Sequence, residues 1–172
     1  MILDAGPVIG LHELGVWDAF VARYEVVLPQ SVIDDEVLFH SAEADSGLSQ
    51  PVDLKAYVED GQVIVGSANS SELGAVSSLF TAAIELHAGE LEALALLTRH
   101  GEFADHVFCS ADGAAIQAAC MIGLSERCES LEVLLAAVGL GRPVQWRFRK
   151  SFMERHKRQG GARAVTGYGL AD

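Results

Sequence analysis

The sequence predicts an α/β fold: three α/β/α layers around a central parallel sheet of four to five strands, followed by a basic C-terminal extension. Three observations predict it. Short apolar runs alternate with helical stretches, and right-handed crossovers turn that pattern into a parallel sheet covered on both faces. Half of the 172 residues are apolar, enough for one sizeable core. Charge divides the chain, because residues 1–141 carry 22 Asp and Glu against four Lys and Arg (balance −18) while residues 142–172 balance at +6. We therefore expect a body over 1–141 and a basic extension over 142–172, part helical with a flexible end.

Residues 1–3 are a short apolar run stopped by Asp4-Ala5-Gly6-Pro7, the pattern of a buried strand entering a turn. Residues 8–24 carry helical periodicity in Val8, Ile9, Leu11, Leu14, Trp17, Phe20, Val21 and Tyr24. A second strand over 25–28 ends at Pro29. Ser31 is placed to cap a helix reaching about residue 44, with Asp34 in capping-box position. Residues 45–51 read as loop, 52–60 as a short helix and 61–65 as a third strand. A helix starts at Ser70 or Ser71 and runs through Leu86, and Gly89 parts it from another over 90–100. Residues 106–110 predict the fourth strand and 112–122 its helix. Gly123 and Leu124 lead into a short fifth strand, and 130–139 is the last helix of the body. There is no internal repeat and no GxGxxG, Walker or GxSxG motif. Gly160, Gly161, Gly167 and Gly169 follow no strand and read as tail.

Composition excludes several classes. Cys109, Cys120 and Cys128 form no CxxC pair and sit in apolar stretches, so they read as core thiols of a reducing compartment. The six histidines are scattered, which argues against zinc. No apolar run approaches the roughly 18 residues a membrane span needs, and the first residues lack the basic start of an export signal. A cytoplasmic protein is expected.

Four acids occupy positions that a merely solvated acid seldom takes. Asp4 ends the first strand in apolar company. Glu36 shares the inward stripe of Val32 and Ile33, whereas Asp34 lies opposite. Glu90 opens a helix that is apolar nearly all round, and Asp112 follows the fourth strand. Each also has a plainer reading: a turn residue for Asp4, a solvated face for Glu36, a first-turn acid for Glu90 and an N-cap for Asp112. On periodicity Glu92 is as good a candidate as Glu90. Together the acids fall at the carboxyl edge of the sheet, where sites of open α/β folds form. Carboxylates converging there repel unless cations neutralise them. Oxygen ligands select Mg2+ or Mn2+, and the chemistry such a cluster serves is in-line displacement at phosphorus.

Four segments, in this order, resemble the PIN-domain ribonucleases, in particular the bacterial and archaeal branch related to type II toxins. They are Met-Ile-Leu-Asp-Ala-Gly-Pro-Val-Ile-Gly-Leu from residue 1, Val-Leu-Pro-Gln-Ser-Val-Ile-Asp-Asp-Glu-Val from residue 27, Leu-His-Ala-Gly-Glu-Leu-Glu-Ala-Leu-Ala-Leu from residue 86, and Val-Phe-Cys-Ser-Ala-Asp from residue 107. The resemblance spans roughly residues 1–140. It implies Asp4, Glu36, Glu90 and Asp112 as catalytic metal ligands for Mg2+ or Mn2+, with Ser110 as a hydroxyl beside them, and it favours Glu90 over Glu92. The implied activity is endoribonucleolytic, leaving 5′-phosphate and 3′-hydroxyl ends, in an RNA-processing enzyme or a toxin restrained by an antitoxin protein. Two features depart from the pattern. Gly113 stands where relatives often carry a further acid or polar residue, and the basic extension is not part of the usual domain.

Two alternatives stand beside this expectation. One is a binding or assembly module with structural acids. The other is a different Mg2+-dependent phosphoester hydrolase, which would want an Asp-x-Asp pair or a suitably placed Lys, whereas the body holds only Lys55. In the extension, Arg147, Arg149, Lys150, Arg155, Lys157 and Arg158 interleave with Trp146, Phe148 and Phe152, a mixture suited to phosphates and unpaired bases. The plainer reading is a last helix docking those aromatics on the body. The apolar stretch 71–86 leads us to expect a homodimer.

Overall fold

The computed structural model describes residues 1–36, 39–41, 49–99, 101–103 and 105–171, with only the backbone described at 36, 39–41, 49 and 50. Four parallel strands form the central sheet: β1 (Ile2–Leu3), β2 (Val26–Pro29), β5 (Val63–Gly66) and β6 (Phe108–Cys109), in the order β5-β2-β1-β6. Successive residues of a strand face opposite ways, and the core obeys this. Ile2, Val27 and Phe108 enter one apolar cluster, whereas Leu3, Val26, Leu28 and Cys109 enter a second on the other face. Helices α4 (Ser70–Ser77), α5 (Ala88–Thr98) and α6 (Gly113–Met121) contribute to the first cluster. Helices α1 (Ala5–Glu13), α2 (Trp17–Val21), α3 (Leu54–Glu59) and α7 (Leu131–Ala137) contribute to the second. This is the three-layer α/β arrangement. The expected fifth strand is reduced to a parallel bridge between Phe108 and Cys128. No helix among the described residues is long and apolar enough to cross a membrane.

Several boundaries differ from the sequence expectation, each for a local reason. The turn expected at residues 4–7 is already the start of α1, with Pro7 in the first turn, where its missing N–H costs nothing. The single helix expected over 8–24 is two, because Gly15 takes a left-handed φ of +63° that ends α1. The helix expected from Ser31 to about residue 44 gives way to one π-helical turn (Val32–Glu36) and then an antiparallel pair, β3 (Phe39–Ser41) with β4 (Ser49–Pro51). Ser31 does not cap through Asp34: it donates its hydroxyl to Glu92 Oε2 at 2.7 Å, while Asp34 accepts from Gln30 at 2.7 Å. The helix expected through Leu86 stops at Ser77. There the chain turns to pair with the C-terminal residues, Thr81 N–H donating to Gly169 O and Ala171 N–H to Leu79 O.

Segment 142–171 lies on the body. Arg142 donates to Leu14 O at 2.8 Å and Gln145 to Glu13 at 3.2 Å, leading the chain along α1 to a 3-10 turn (Trp146–Phe148) and α8 (Lys150–Thr166). Phe148 is buried in one cluster, and Phe152 and Met153 are buried in the other. Two of the glycines read as tail have structural roles. A Cβ at Gly160 would stand 2.7 Å from Cys120 Cβ and Gln117 O, so glycine permits α8 to cross close over α6, and Gly167 ends α8 at φ +71°.

Candidate functional site

β1 lies between β2 and β6, and the chain builds outward to β5 on one side before returning to β6 on the other. The strand order therefore reverses between β1 and β6, and a crevice opens at the carboxyl ends of that pair. Asp4 directly follows β1, and Ser110 and Asp112 follow β6. A Cβ on Gly6 would lie 2.8 Å from Ala111 Cβ, so glycine at position 6 lets the two chain segments approach. The result is a cleft of about 280 Å³ whose walls include Asp4, Gly6, His87, Glu90, Asp112 and Arg147.

Asp4 is the unusual member. It occupies the N-cap position of α1, yet its side chain makes no capping hydrogen bond. It is only 3% exposed, and its Oδ1 is buried with no hydrogen-bond partner among the described residues. Burial pushes its carboxyl up to about 8, and the Glu90 and Asp112 charges push the same way against the Ser110 hydroxyl and the nearby Gly6 amide. A buried carboxyl of this kind takes either a proton or a cation.

The other acids are braced by backbone. Asp112 Oδ1 accepts from Ala114 and Ala115 N–H at 2.6 and 3.1 Å, capping α6, and the Asp112 N–H donates to Ser110 Oγ at 2.9 Å. Glu90, 7% exposed, accepts the His87 N–H at 2.8 Å in the first turn of α5. The plainer roles foreseen for these two acids are therefore real, and neither keeps them from the cleft. Glu92 is different. It accepts from Ser31 N–H and Oγ–H at 2.9 and 2.7 Å and from Ala68 N–H at 3.0 Å, tying the chain after β2 to the chain after β5. It does not line the cleft.

Of the sequence-derived candidates, the fold brings Asp4, Glu90, Asp112, Ser110 and Arg147 together. The Glu36 side chain lies outside the described residues. Among the described residues no three His, Cys, Asp or Glu side chains gather closely enough to hold a metal by themselves. Asp4, Glu90 and Asp112, which share the cleft, offer only oxygen donors, the type of ligand a hard divalent cation takes. Of the remaining basic candidates, Arg149 donates to Val144 O at 3.2 Å and Lys157 to Cys128 O at 3.2 Å, while Lys150, Arg155 and Arg158 are exposed on α8. None of these five lines the cleft.

Sequence reasoning missed two residues here. His87 lines the cleft, and its place three residues before Glu90 was the available signal. His156 packs its ring where a Cβ on Gly113 would stand and holds Gln117 Nε2 at 3.0 Å from its Nδ1. Burial and then the Arg155 charge lower its pKa, with Asp112 opposing. The one sequence trace of this was Gly113 itself, in the position where an acid or polar residue was expected. No family model, no curated protein and no solved structure matches the chain.

Proposed function

We propose that the cleft is the active site of a metal-dependent endoribonuclease resembling PIN-domain enzymes, hydrolysing RNA phosphodiester bonds with Mg2+ or Mn2+. The observation that carries the reading is Asp4: a buried carboxyl with an oxygen unpartnered among the described residues, beside two more acids at the switch point of a parallel sheet. Asp4, Glu90 and Asp112 are the proposed ligands, with Glu36 the fourth from the turn after β2. A divalent cation held there would acidify a water and offset charge building on the phosphate. Ser110 steadies this arrangement, its Oγ bonded to the Asp112 amide and its hydroxyl favouring the ionised form of Asp4. Backbone amides fix the Asp112 and Glu90 carboxylates before substrate arrives, so little reorganisation is needed at the reaction step. Arg147, Arg149, Lys150, Arg155, Lys157 and Arg158 are the proposed RNA contacts, since an acidic body alone repels phosphate.

The biological setting proposed is a cytoplasmic RNA-processing enzyme or a toxin paired with an antitoxin protein, acting as a homodimer. A second reading, a binding or assembly module, draws on the structural bonds that Asp112 and Glu90 already make. A third is another Mg2+-dependent phosphoester hydrolase. Incubating the full chain with labelled single-stranded RNA or with p-nitrophenyl phosphate, in Mn2+ or EDTA, separates them. The nuclease reading expects Mn2+-dependent RNA cleavage that Asp4→Asn abolishes. Phosphate-ester turnover without RNA cleavage favours the third reading, and no turnover of either substrate favours the module.

A further inference from the structure

We infer that Arg147 is the phosphate-holding residue of the acid cleft, gripping a phosphodiester of single-stranded RNA beside the carboxylates; the inference rests on the nuclease reading above. Arg147 is placed by its neighbour. Phe148 is 2% exposed, and a Cβ on Gly10 would come within 2.6 Å of its ring, so the ring fills the space a side chain at position 10 would need. Arg142 and Gln145 fasten the approaching chain to the end of α1. The backbone of Arg147 is thereby fixed at the mouth of the cleft, although its side chain is exposed.

Its guanidinium carbon lies 5.0 Å from the Phe148 ring centroid. Stacking on a ring restrains a guanidinium while its in-plane N–H donors stay available for an oxyanion, and the planar fork matches phosphate. Charge supplies the need. A cleft walled by Asp4, Glu90 and Asp112 repels a phosphodiester, and a cation on the same wall converts it into a place where an anion can sit. The other basic side chains of the segment do not reach the cleft. Beside Arg147, Trp146 is 49% exposed and meets Phe152 edge-on at 5.2 Å, which leaves ring surface for an unpaired base. That neighbour is why the ligand is single-stranded.

The test uses full-length protein and a fluorescein-labelled single-stranded RNA decamer in Mn2+. Binding is read by anisotropy in an Asp4→Asn background, and KM and kcat are read in the chain that keeps Asp4. Arg147→Ala should weaken binding about tenfold, flatten the log–log salt slope by about 0.7, and raise KM similarly with kcat within about twofold. Arg147→Lys should keep the salt slope and recover part of the affinity. Arg147 is exposed, so matching melting curves will show that both variants fold. An unchanged affinity and salt slope overturn the inference. So does an Arg147→Ala protein that binds Mn2+ more tightly but RNA equally well, because Arg147 then only neutralises the acids. If the wild type cleaves nothing while RNA binding still depends on Arg147, the phosphate role stands and the nuclease reading falls.

Discussion

Glu92 binds Ser31 twice through one oxygen, taking its N–H at 2.9 Å and its hydroxyl at 2.7 Å, so a carboxylate on α5 fastens the chain just beyond β2. Its other oxygen takes the Ala68 N–H beyond β5 at 3.0 Å. Glu90, two positions earlier and about 200° around the helix, reaches the cleft instead. One carboxylate braces the sheet edge while the other lines the cleft.

Glu92→Gln and Glu90→Gln should therefore fail in opposite ways. Glu92→Gln loses charge-assisted bonds in a buried place and should cost about 2 kcal/mol of stability, with kcat falling only as far as the cleft shifts. Glu90→Gln should melt within a few degrees of wild type and lose nearly all cleavage. Urea unfolding and nuclease rates on both variants check this. A stable but inactive Glu92→Gln would reverse the assignment.

Asp4 makes metal-free stability depend on pH. Its carboxyl titrates near 8 in the folded chain against an ordinary value of 3.8. Between those values the unfolded chain holds fewer protons than the folded one. The Asp4 contribution is therefore greatest below about pH 4 and is lost as pH rises towards 8, a change on the order of a few kcal/mol. In EDTA, wild type should lose melting temperature relative to Asp4→Asn between pH 5 and 8, and saturating Mn2+ should close the gap. Parallel profiles for the two proteins would show that Asp4 is not the strained group.

Removing residues 142–172 should unfold the body rather than merely weaken RNA binding. The cut takes away buried Val144, Phe148, Phe152 and Met153, at about 1.5–3 kcal/mol for each large side chain, a sum comparable with the whole stability of a small domain. Circular dichroism of a chain ending at Gly141 should show a lost or strongly lowered melting transition. A truncated protein that melts like wild type would mean the segment is only appended. Arg155→Ala with Arg158→Ala is the gentler probe of the exposed charges. It should leave the melting curve unchanged and flatten the salt dependence of RNA binding by about 0.7 per lost phosphate contact.

Gly113→Ala should be more damaging than a helix alanine usually is. Its methyl would enter the His156 ring, separating α6 from α8 beside Asp112, and overpacking of this kind costs about 1–3 kcal/mol. Restored stability in the double variant Gly113→Ala with His156→Ala would show that the imidazole is the obstacle. Equal destabilisation of single and double variants would locate it elsewhere.

The layers and the site edge were legible in the sequence because they rest on local signals. Apolar runs at 1–3, 25–28, 61–65 and 106–110 each overlap a strand of the sheet, and Asp4 and Asp112 could be placed at its carboxyl edge by adjacency alone. What was not legible depends on contacts between distant residues. The helix expected through Leu86 ends early because residues 79–81 pair with 169–171. The helix expected after Ser31 is only a single turn there, and that serine bonds Glu92, 61 residues away. The seat of the C-terminal segment is written in Gly10, Gly113 and Gly160, and a glycine that leaves room for a remote ring looks, in sequence, like any other. Val76 and Ile84 show the same effect. They raised the apolarity of the 71–86 stretch, and both are spent on the core of one chain.

Whether the Asp4 cleft holds a divalent cation is decided by calorimetric titration of Mn2+ into metal-free protein. Asp4→Asn with Asp112→Asn is the informative comparison, because asparagine caps a helix as well as aspartate does and α6 should survive the change. Wild type should bind Mn2+ saturably, and the double variant should lose that affinity by at least about a hundredfold, with both proteins folded. Equal Mn2+ affinity in the two proteins, or no binding by wild type, would contradict it.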